Sequence, residues 1–240
     1  MIMLNDKIKA ALGSLDLRAV LFDMDGVLYD SMPFHAKAWV YAFAQEGVTF
    51  SDYDVYMREG MTGSSTVEEV FLAQLNRRAT EEDCQRIYRV KSDYFESLGV
   101  AGEMPHVDEV LSCVKASGVD RYIVTGSGQR TLFDKLEHSY PEMFDKRQMV
   151  TAYDVKKGKP DPEPYLMALK KGGLQPNQAI VVENAPLGVR SAVAAGIFTI
   201  AVNTGILRNE ELEKEGANIV YPSMKAFAED IPEIISLAKK

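Results

Sequence analysis

The segment from Ala19 to Ser31, AVLFDMDGVLYDS, constrains the fold of this chain more than any other. Its first four residues are apolar, and the run ends at Asp23, which is followed by Asp25 and Gly26. A buried strand that ends in an acidic loop is typical of open α/β folds, in which ligands bind at the carboxyl edge of the sheet. Because alternate residues of an extended chain point the same way, both carboxylates are predicted to face one site.

The two neighbouring carboxylates predict a bound cation. Two like charges this close are unfavourable unless a cation lies between them or one is protonated, and Mg²⁺ is a hard cation that prefers oxygen ligands. An EF-hand calcium loop is the alternative, but it requires a preceding helix and a longer run of oxygen ligands that ends in Glu. The run before Asp23 is β-like and the spacing does not match, so magnesium is favoured.

Composition argues against several classes of protein. The net charge of −8 disfavours a nucleic-acid-binding surface. The two cysteines, Cys84 and Cys113, provide neither a disulfide framework nor a metal-binding spacing. The N-terminal segment lacks the apolar core of a signal peptide, and no stretch approaches the length of a transmembrane helix. We therefore expect a cytoplasmic protein that contacts neither nucleic acid nor membrane.

Hydrophobic spacing predicts an all-helical segment within an α/β chain. From Pro33 to about Gly102 the apolar residues recur at helical spacing, after a predicted N-cap at Asp30-Ser31. From Glu103 onward, strand-like and helix-like segments alternate. Further strands are predicted at 121–124, 149–151, 179–182, 198–202 and 218–221.

This alternation predicts a doubly wound parallel sheet with right-handed crossovers. We predict an α/β core formed by residues 1–31 and 103–240. Residues 32–102 are predicted to form a small all-helical insert, which would lie as a lid over the carboxyl edge of the sheet.

Polar residues follow four of the predicted segments and should meet at that edge. They are Asp23, Asp25, Thr125, Ser127, Lys159, Glu183 and Asn184. Simpler explanations are an ordinary βα turn at Thr125-Gly126-Ser127-Gly128, a solvated Lys159, and an N-cap pair at Glu183-Asn184 before Pro186. Their joint placement is hard to assign to turns and caps alone.

Together these residue types suit phosphoryl transfer. One carboxylate attacks phosphorus to give an aspartyl-phosphate, while Mg²⁺, a hydroxyl, backbone N–H groups and a lysine stabilise the phosphoryl oxygens. The second carboxylate protonates the leaving oxygen and then activates water.

The motifs DMDGVLYDS, VTGSGQ, KGKPDPEPY and VVENAPLGVRSAVAAG, in this order, resemble those of the haloacid dehalogenase (HAD) superfamily. Within it, the chain is similar to the branch with a small helical cap that includes β-phosphoglucomutase, from Leu17 to nearly the end. The resemblance implies Asp23 as nucleophile and Asp25 as general acid and base, with its backbone carbonyl on Mg²⁺. It implies that Thr125 holds the phosphoryl group with Ser127 nearby.

The resemblance also implies that Lys159 bridges the nucleophile and the phosphate, and that Glu183 and Asn184 hold Mg²⁺. The usual metal dyad of this branch is Glu-Asp, so Asn184 is a departure. A neutral amide oxygen predicts weaker Mg²⁺ binding but less repulsion of a highly charged phosphate.

In the insert, His35 and Lys91 match positions that couple closure of the cap to catalysis. His35 shares a helix face with Trp39, so a packing role is the alternative, and exposure is the default for Lys91 in a long helix. The mutase is expected to carry an Arg for a second phosphate where this chain has Gly63, while Glu59 would face the site. With these residues the chain most resembles a HAD-type inorganic pyrophosphatase.

These features predict a Mg²⁺-dependent phosphohydrolase for a small phosphorylated substrate or pyrophosphate, the latter favoured, acting as a monomer. A β-phosphoglucomutase is the alternative, and it would need another group to replace the missing Arg. A phospho-accepting receiver domain and a dehalogenase are disfavoured, because neither has a use for Asp25.

Overall fold

The computed structural model describes residues 4–127 and 132–239, except for the side chains of residues 132 and 133. Gly128 and Gln129, which belong to the predicted turn and to the VTGSGQ motif, lie outside the described residues.

Six parallel strands form one sheet, as predicted. The strands are β1 (Ala19–Phe22), β2 (Asp120–Val124), β3 (Met149–Val150), β4 (Ala179–Glu183), β5 (Phe198–Val202) and β6 (Ile219–Tyr221). Their order is β3-β2-β1-β4-β5-β6, so the chain winds outward in both directions from the central β1. This order confirms the doubly wound α/β fold and leaves a ligand-binding crevice at the carboxyl end of β1.

The strand register brings the predicted site residues to one level. Phe22 of β1 pairs with Ile123 of β2 and with Val182 of β4. The next residue, Asp23, donates its backbone N–H to the Val182 carbonyl, at 3.0 Å. Since Glu183 follows Val182 directly, two carboxylates end adjacent strands.

Eleven α-helices surround the sheet in the described parts of the chain. They are α1 (Asp6–Gly13), α2 (Met32–Ala44), α3 (Asp52–Met57), α4 (Gly63–Leu75), α5 (Glu81–Ser97), α6 (Val107–Ala116), α7 (Leu132–Ser139), α8 (Glu163–Gly172), α9 (Pro186–Ala194), α10 (Asn209–Lys214) and α11 (Met224–Ala238). Helices α2–α5 all lie between β1 and α6, where the all-helical insert was predicted. The boundaries of the insert as a separate domain stay a prediction.

The hydrophobic residues form separate clusters in the core and the insert. The strands pack on one face against α6 and α11 and on the other against α8 and α9. Helices α2–α5 enclose a cluster of their own, which Leu207 of the core joins. A Cβ on Gly205 would lie 2.3 Å from the Tyr56 ring, so the insert rests directly on the loop after β5.

In the described chain, no helix combines the length and apolar character needed to cross a bilayer.

Candidate active site

The loop after β1 packs so closely against Asn184 that position 26 requires glycine. Gly26 has φ +84°, and its N–H donates to the Tyr29 carbonyl at 2.8 Å. A Cβ at this position would lie 2.0 Å from Nδ2 of Asn184. The glycine therefore permits both the turn and the approach of the Asn184 side chain to the acidic loop.

Lys159 is buried at the centre of the site rather than solvated. Its Nζ donates to Oδ1 of Asp23 at 2.5 Å, to Oε1 of Glu183 at 2.6 Å and to the Val124 carbonyl at 3.1 Å. Burial alone would lower the pKa of Lys159, but the charges of Asp23 and Glu183 outweigh it and raise the pKa well above its usual value. Lys159 is thus a fixed cation beside the predicted nucleophile.

Glu183 is fully enclosed and satisfied by protein donors. Its Oε1 accepts from Lys159 and from the Tyr165 hydroxyl at 2.7 Å, and its Oε2 accepts the backbone N–H groups of Asn184 and Ala185. A carboxylate has about four acceptor positions, and these four donors use them. The geometry fits Glu183 as an anchor for Lys159 and for the start of α9 better than as a direct metal ligand.

Asn184, by contrast, has an unused oxygen. Its Oδ1 is buried without a hydrogen-bond partner among the described residues. Within residues 4–127 and 132–239, no three His, Cys, Asp or Glu side chains form a metal cluster. A cation here would therefore be held by a mixed set of oxygens: the free carboxylate oxygen of Asp23, the Asp25 carbonyl and Asn184 Oδ1. Such an all-oxygen set suits Mg²⁺.

Burial shifts the predicted nucleophile towards its neutral form. Burial raises the pKa of Asp23 to about 7, with Lys159 opposing and Glu183 and Asp25 adding to the rise. A cation at Asn184 Oδ1 would reverse this shift, since an adjacent positive charge favours the carboxylate.

Asp25 is held by a hydrogen-bonded chain that runs into the insert. Its Oδ1 accepts from the Ser31 hydroxyl at 2.6 Å and lies 3.3 Å from Nε2 of His35, whose Nδ1 lies 3.0 Å from Nζ of Lys91. Because an ammonium can only donate, His35 Nδ1 accepts from Lys91 and Nε2–H donates to Asp25. Burial works to raise the pKa of Asp25, but the bonds from His35 and Ser31 outweigh it and lower the pKa to about 2.

Ser31 is the N-cap residue of α2, as predicted, but its side chain makes no cap, because its hydroxyl donates to Asp25 instead. Lys91 is only 7% exposed, which excludes the alternative of an exposed lysine. Its Nζ lies 4.9 Å from the centroid of the Phe95 ring and 5.7 Å from those of Trp39 and Tyr88.

His35 both packs and takes part in hydrogen bonds. Its ring lies 4.5 Å from that of Phe95, and its two nitrogens face Asp25 and Lys91. Its role in coupling closure of the cap to catalysis stays a prediction.

Seven of the predicted site residues line one cavity of about 450 Å³ between the core and the insert. From the core it is lined by Asp23, Asp25, Thr125 and Ser127, and from the insert by His35, Glu59 and Lys91. The Thr125 hydroxyl accepts a hydrogen bond from the Ser127 backbone N–H at 3.0 Å, and this bond closes the turn. The same two residues also line the cavity. Lys159, Glu183 and Asn184 do not line this cavity, but Lys159 joins Asp23 to Glu183 by hydrogen bonds.

Glu59 places a further carboxyl group against this cavity. Burial raises its pKa to about 8, and the charges of Asp25 and Asp23 add to the rise, with Lys91 and Lys159 opposing. The carboxyl is therefore mostly neutral near pH 7 when no cation is bound, and an occupant that brings positive charge would favour its ionised form.

Gly63 of α4 and Tyr88 of α5 line the cavity on the side that we call the far wall. A Cβ on Gly63 would lie 2.4 Å from the Tyr88 ring, so the ring fills the space that a side chain at position 63 would need. The glycine was predictable from the sequence, whereas the tyrosine was not. Tyr153 and Lys135 also line the cavity and were not predicted, because they belong to no motif.

Comparison with known proteins is consistent with this site. Residues 20–202 match the sequence profile of a family described as haloacid dehalogenase-like hydrolase. Hexitol phosphatase A of Escherichia coli K12 is 30% identical over 186 residues, which are 78% of this chain and 83% of that protein. A phosphorylated carbohydrates phosphatase of Thermotoga maritima is 31% identical over 186 residues, 77% of this chain and 84% of that protein.

A solved structure from Bacteroides vulgatus, described as a candidate β-phosphoglucomutase, is 48% identical to this chain. It matches with a TM-score of 0.92 and covers 97% of this chain and 98% of that chain.

Proposed function

The chain belongs to the haloacid dehalogenase-like hydrolase family and is an enzyme of the phosphatase and phosphotransferase type; on this premise we propose that it is a Mg²⁺-dependent phosphohydrolase that uses an aspartyl-phosphate. We propose inorganic pyrophosphate as its favoured substrate. The observation that carries this choice is the far wall of the cavity, where the Tyr88 ring fills the space beside Gly63 and Glu59 supplies a carboxyl group.

In the first step, a carboxylate oxygen of Asp23 forms a bond to phosphorus. The bond from phosphorus to the leaving oxygen breaks, and its electron pair stays on that oxygen, which takes a proton from Asp25 where the leaving group needs one. Lys159 neutralises charge on Asp23 and on the phosphoryl oxygens, and Thr125 holds the phosphoryl group with Ser127 nearby. Bound Mg²⁺, held by Asp23, the Asp25 carbonyl and Asn184, would supply further charge neutralisation of the phosphoryl oxygens.

In the second step, Asp25 takes a proton from a water whose oxygen attacks the phosphorus. The bond between phosphorus and Asp23 breaks, its electron pair returns to the carboxylate, and phosphate is released. Ser31 and His35 hold Asp25 in the carboxylate form that this step requires. Glu183 keeps Lys159 in place throughout.

The environment of Asp25 also supports pyrophosphate. A sugar alkoxide is a poor leaving group and needs a proton from a strong acid, whereas phosphate leaves as a stable anion. Two donors on Asp25 favour its ionised form, which suits the second kind of leaving group. The carboxyl of Glu59 favours a substrate whose second phosphoryl group arrives with a cation.

A β-phosphoglucomutase is the second candidate, because the Bacteroides vulgatus relative is described as one. A mutase must hold a bisphosphate at both ends, and this chain would need another group in place of an arginine at position 63. None of the described residues that line the cavity is arginine. The phosphatases among the relatives make hexitol phosphates and other phosphorylated carbohydrates the main competing hydrolase substrates.

Steady-state turnover with Mg²⁺ tests the proposal. Pyrophosphate is compared with hexitol phosphates, with other sugar phosphates and with β-glucose 1-phosphate primed with its bisphosphate. We expect the highest kcat/KM on pyrophosphate. Formation of glucose 6-phosphate would establish the mutase, and a higher kcat/KM on sugar phosphates would refute the pyrophosphate assignment.

We further propose a monomer, since one chain supplies both the core and the insert residues that line the cavity. Size-exclusion chromatography with light scattering tests this. A cytoplasmic location stays a prediction from the sequence.

A further inference from the structure

Lys135 of α7 faces the catalytic cavity although no motif includes it. It lines the cavity together with Asp25 and His35, and its Nζ lies 4.0 Å from the centroid of the Tyr29 ring. Tyr29 is buried and is therefore a fixed platform for the ammonium. Tyr29 forms a β-bridge with Asp25, so Lys135 contacts the loop that carries the predicted acid and base and lies on the Asp25 side of the cavity.

The other lysines of the site are already engaged. Lys159 is bonded to Asp23 and Glu183, and Lys91 is bonded to His35. Among the described residues, no carboxylate lies within ion-pair distance of Lys135. Its ammonium contacts an aromatic face and retains hydrogens that can be donated into the cavity.

We propose that Lys135 binds the leaving end of the substrate, that is, the anionic group beyond the bond that Asp23 breaks. For pyrophosphate this group is the second phosphoryl group. Asp25 must lie beside the leaving oxygen to exchange a proton with it, so a cation on the Asp25 side of the cavity meets the departing group rather than the one transferred to Asp23. This assignment rests on the proposed function for the identity of the ligand.

Lys135 also adds a positive charge to the cavity that Glu59 lines. Both groups line the same cavity, and a second phosphoryl group between them would meet one carboxyl and one ammonium rather than a carboxyl alone. The ammonium can bind the anion directly, while a carboxyl needs a cation in between.

Binding of a non-hydrolysable analogue tests the proposal. Imidodiphosphate, which has two phosphoryl groups, and inorganic phosphate, which has one, are titrated calorimetrically with Mg²⁺ into the wild type, Lys135→Gln, Lys135→Arg and Lys37→Gln. Lys37 lies exposed on α2 and does not line the cavity. Lys37→Gln is therefore the control that removes the same positive charge outside the cavity. Thermal denaturation checks that each variant is folded.

We expect Lys135→Gln to weaken imidodiphosphate binding about 10- to 100-fold, the loss expected for one charge-assisted contact. Phosphate binding should change less than about 2-fold, Lys135→Arg should retain most of the affinity, and Lys37→Gln should match the wild type. Unchanged imidodiphosphate binding, or an equal loss for both ligands, would overturn the proposal.

Turnover in the same variants separates this inference from the proposed function. Lys135→Gln should raise KM for pyrophosphate more than it lowers kcat. If the wild type does not hydrolyse pyrophosphate, the proposed function fails, whereas the difference between imidodiphosphate and phosphate still decides the role of Lys135.

Discussion

At the residue scale, Asp23 is both the proposed nucleophile and a buried carboxyl group. Replacing it by asparagine removes the attacking oxygen, and we expect Asp23→Asn to reduce turnover by about 10³-fold or more. The fold should persist, because burial already favours a neutral side chain here and the amide oxygen can still accept from Lys159. Steady-state kinetics and thermal denaturation check both parts; residual turnover within 10-fold of the wild type would exclude Asp23 as nucleophile.

Asn184 tests the proposed magnesium site. Its unpartnered Oδ1 lies in a loop whose neighbouring carboxylates are otherwise engaged, so Asn184→Asp should add a charged ligand. We expect Mg²⁺ to bind about 10-fold more tightly, a modest gain because the new charge also repels Asp23 and Asp25.

Calorimetric titration of Mg²⁺ and the Mg²⁺ dependence of turnover measure this effect. Asn209→Asp is a matched control on α10, far in sequence from the catalytic loop. Equal Mg²⁺ affinity in Asn184→Asp and the wild type would show that Asn184 is not a ligand. Chelation of Mg²⁺ should abolish turnover in all variants.

Residues with a chemical signature in the sequence were predictable, and those whose role depends on tertiary contacts were not. Asp23 and Asp25 are identifiable because a strand ends in two carboxylates. Ser31 reads as a cap because that is the local role of a serine before a helix, and only the fold turns its hydroxyl to Asp25. The sequence around Lys135 does not indicate a role in the site, because its contact with Tyr29, which is distant in the sequence, forms only in the folded protein.

At the element scale, α5 supplies Lys91 as a buried partner for His35 on α2. Burial lowers the pKa of His35, and the charge of Lys91 lowers it further, while Asp25 opposes. Lys91→Met removes a positive charge and leaves Nδ1 without its donor. We expect the pKa of His35 to rise and kcat/KM to fall about 10-fold or more.

NMR titration can follow His35 directly, because the chain has only 3 histidines. Lys37→Met, on the exposed side of α2, is the matched control and should leave the titration unchanged. An unaltered pKa of His35 in Lys91→Met would show that the two side chains are not coupled.

The strands and long helices were predictable because their apolar residues follow one period. Two short helices, α3 and α10, were not predicted, since six residues are too few to show a helical repeat. The capping box of Ser51 and Asp54 was a usable signal for α3. Helix α4 begins at Gly63, because Thr62 caps it.

At the scale of the whole molecule, the site lies where carboxyl groups from two parts of the chain meet. Asp23 and Asp25 come from the core and Glu59 from the insert, in a protein that already carries a net charge of −8. Closing the insert over the core without a cation therefore opposes like charges, and a cation or a cationic side chain in the cavity relieves this repulsion.

Glu59 makes this repulsion measurable as a pH dependence of stability. Burial and the two aspartates raise its pKa in the folded protein to about 8, from an ordinary value of 4.5. A carboxyl whose pKa is raised on folding binds its proton more tightly in the folded state, so its contribution is fully present below pH 4.5 and is lost as the pH rises towards 8. The metal-free protein should therefore become less stable across this window.

Glu59→Gln removes the ionisation and should cancel part of that loss. We expect the variant to melt a few degrees above the wild type at pH 8 to 9 without metal. Well below pH 4.5, where Glu59 is protonated in both the folded and the unfolded state, the two proteins should melt at the same temperature. Glu68→Gln, an exposed change on α4 at a carboxylate that forms no ion pair among the described residues, is the control for a lost carboxylate. Thermal denaturation over this pH range, with and without Mg²⁺, gives the answer. A difference between Glu59→Gln and the wild type that does not grow with pH would show that Glu59 does not meet the charges of the core, and the argument that the cavity requires a cation-bearing substrate would lose its support.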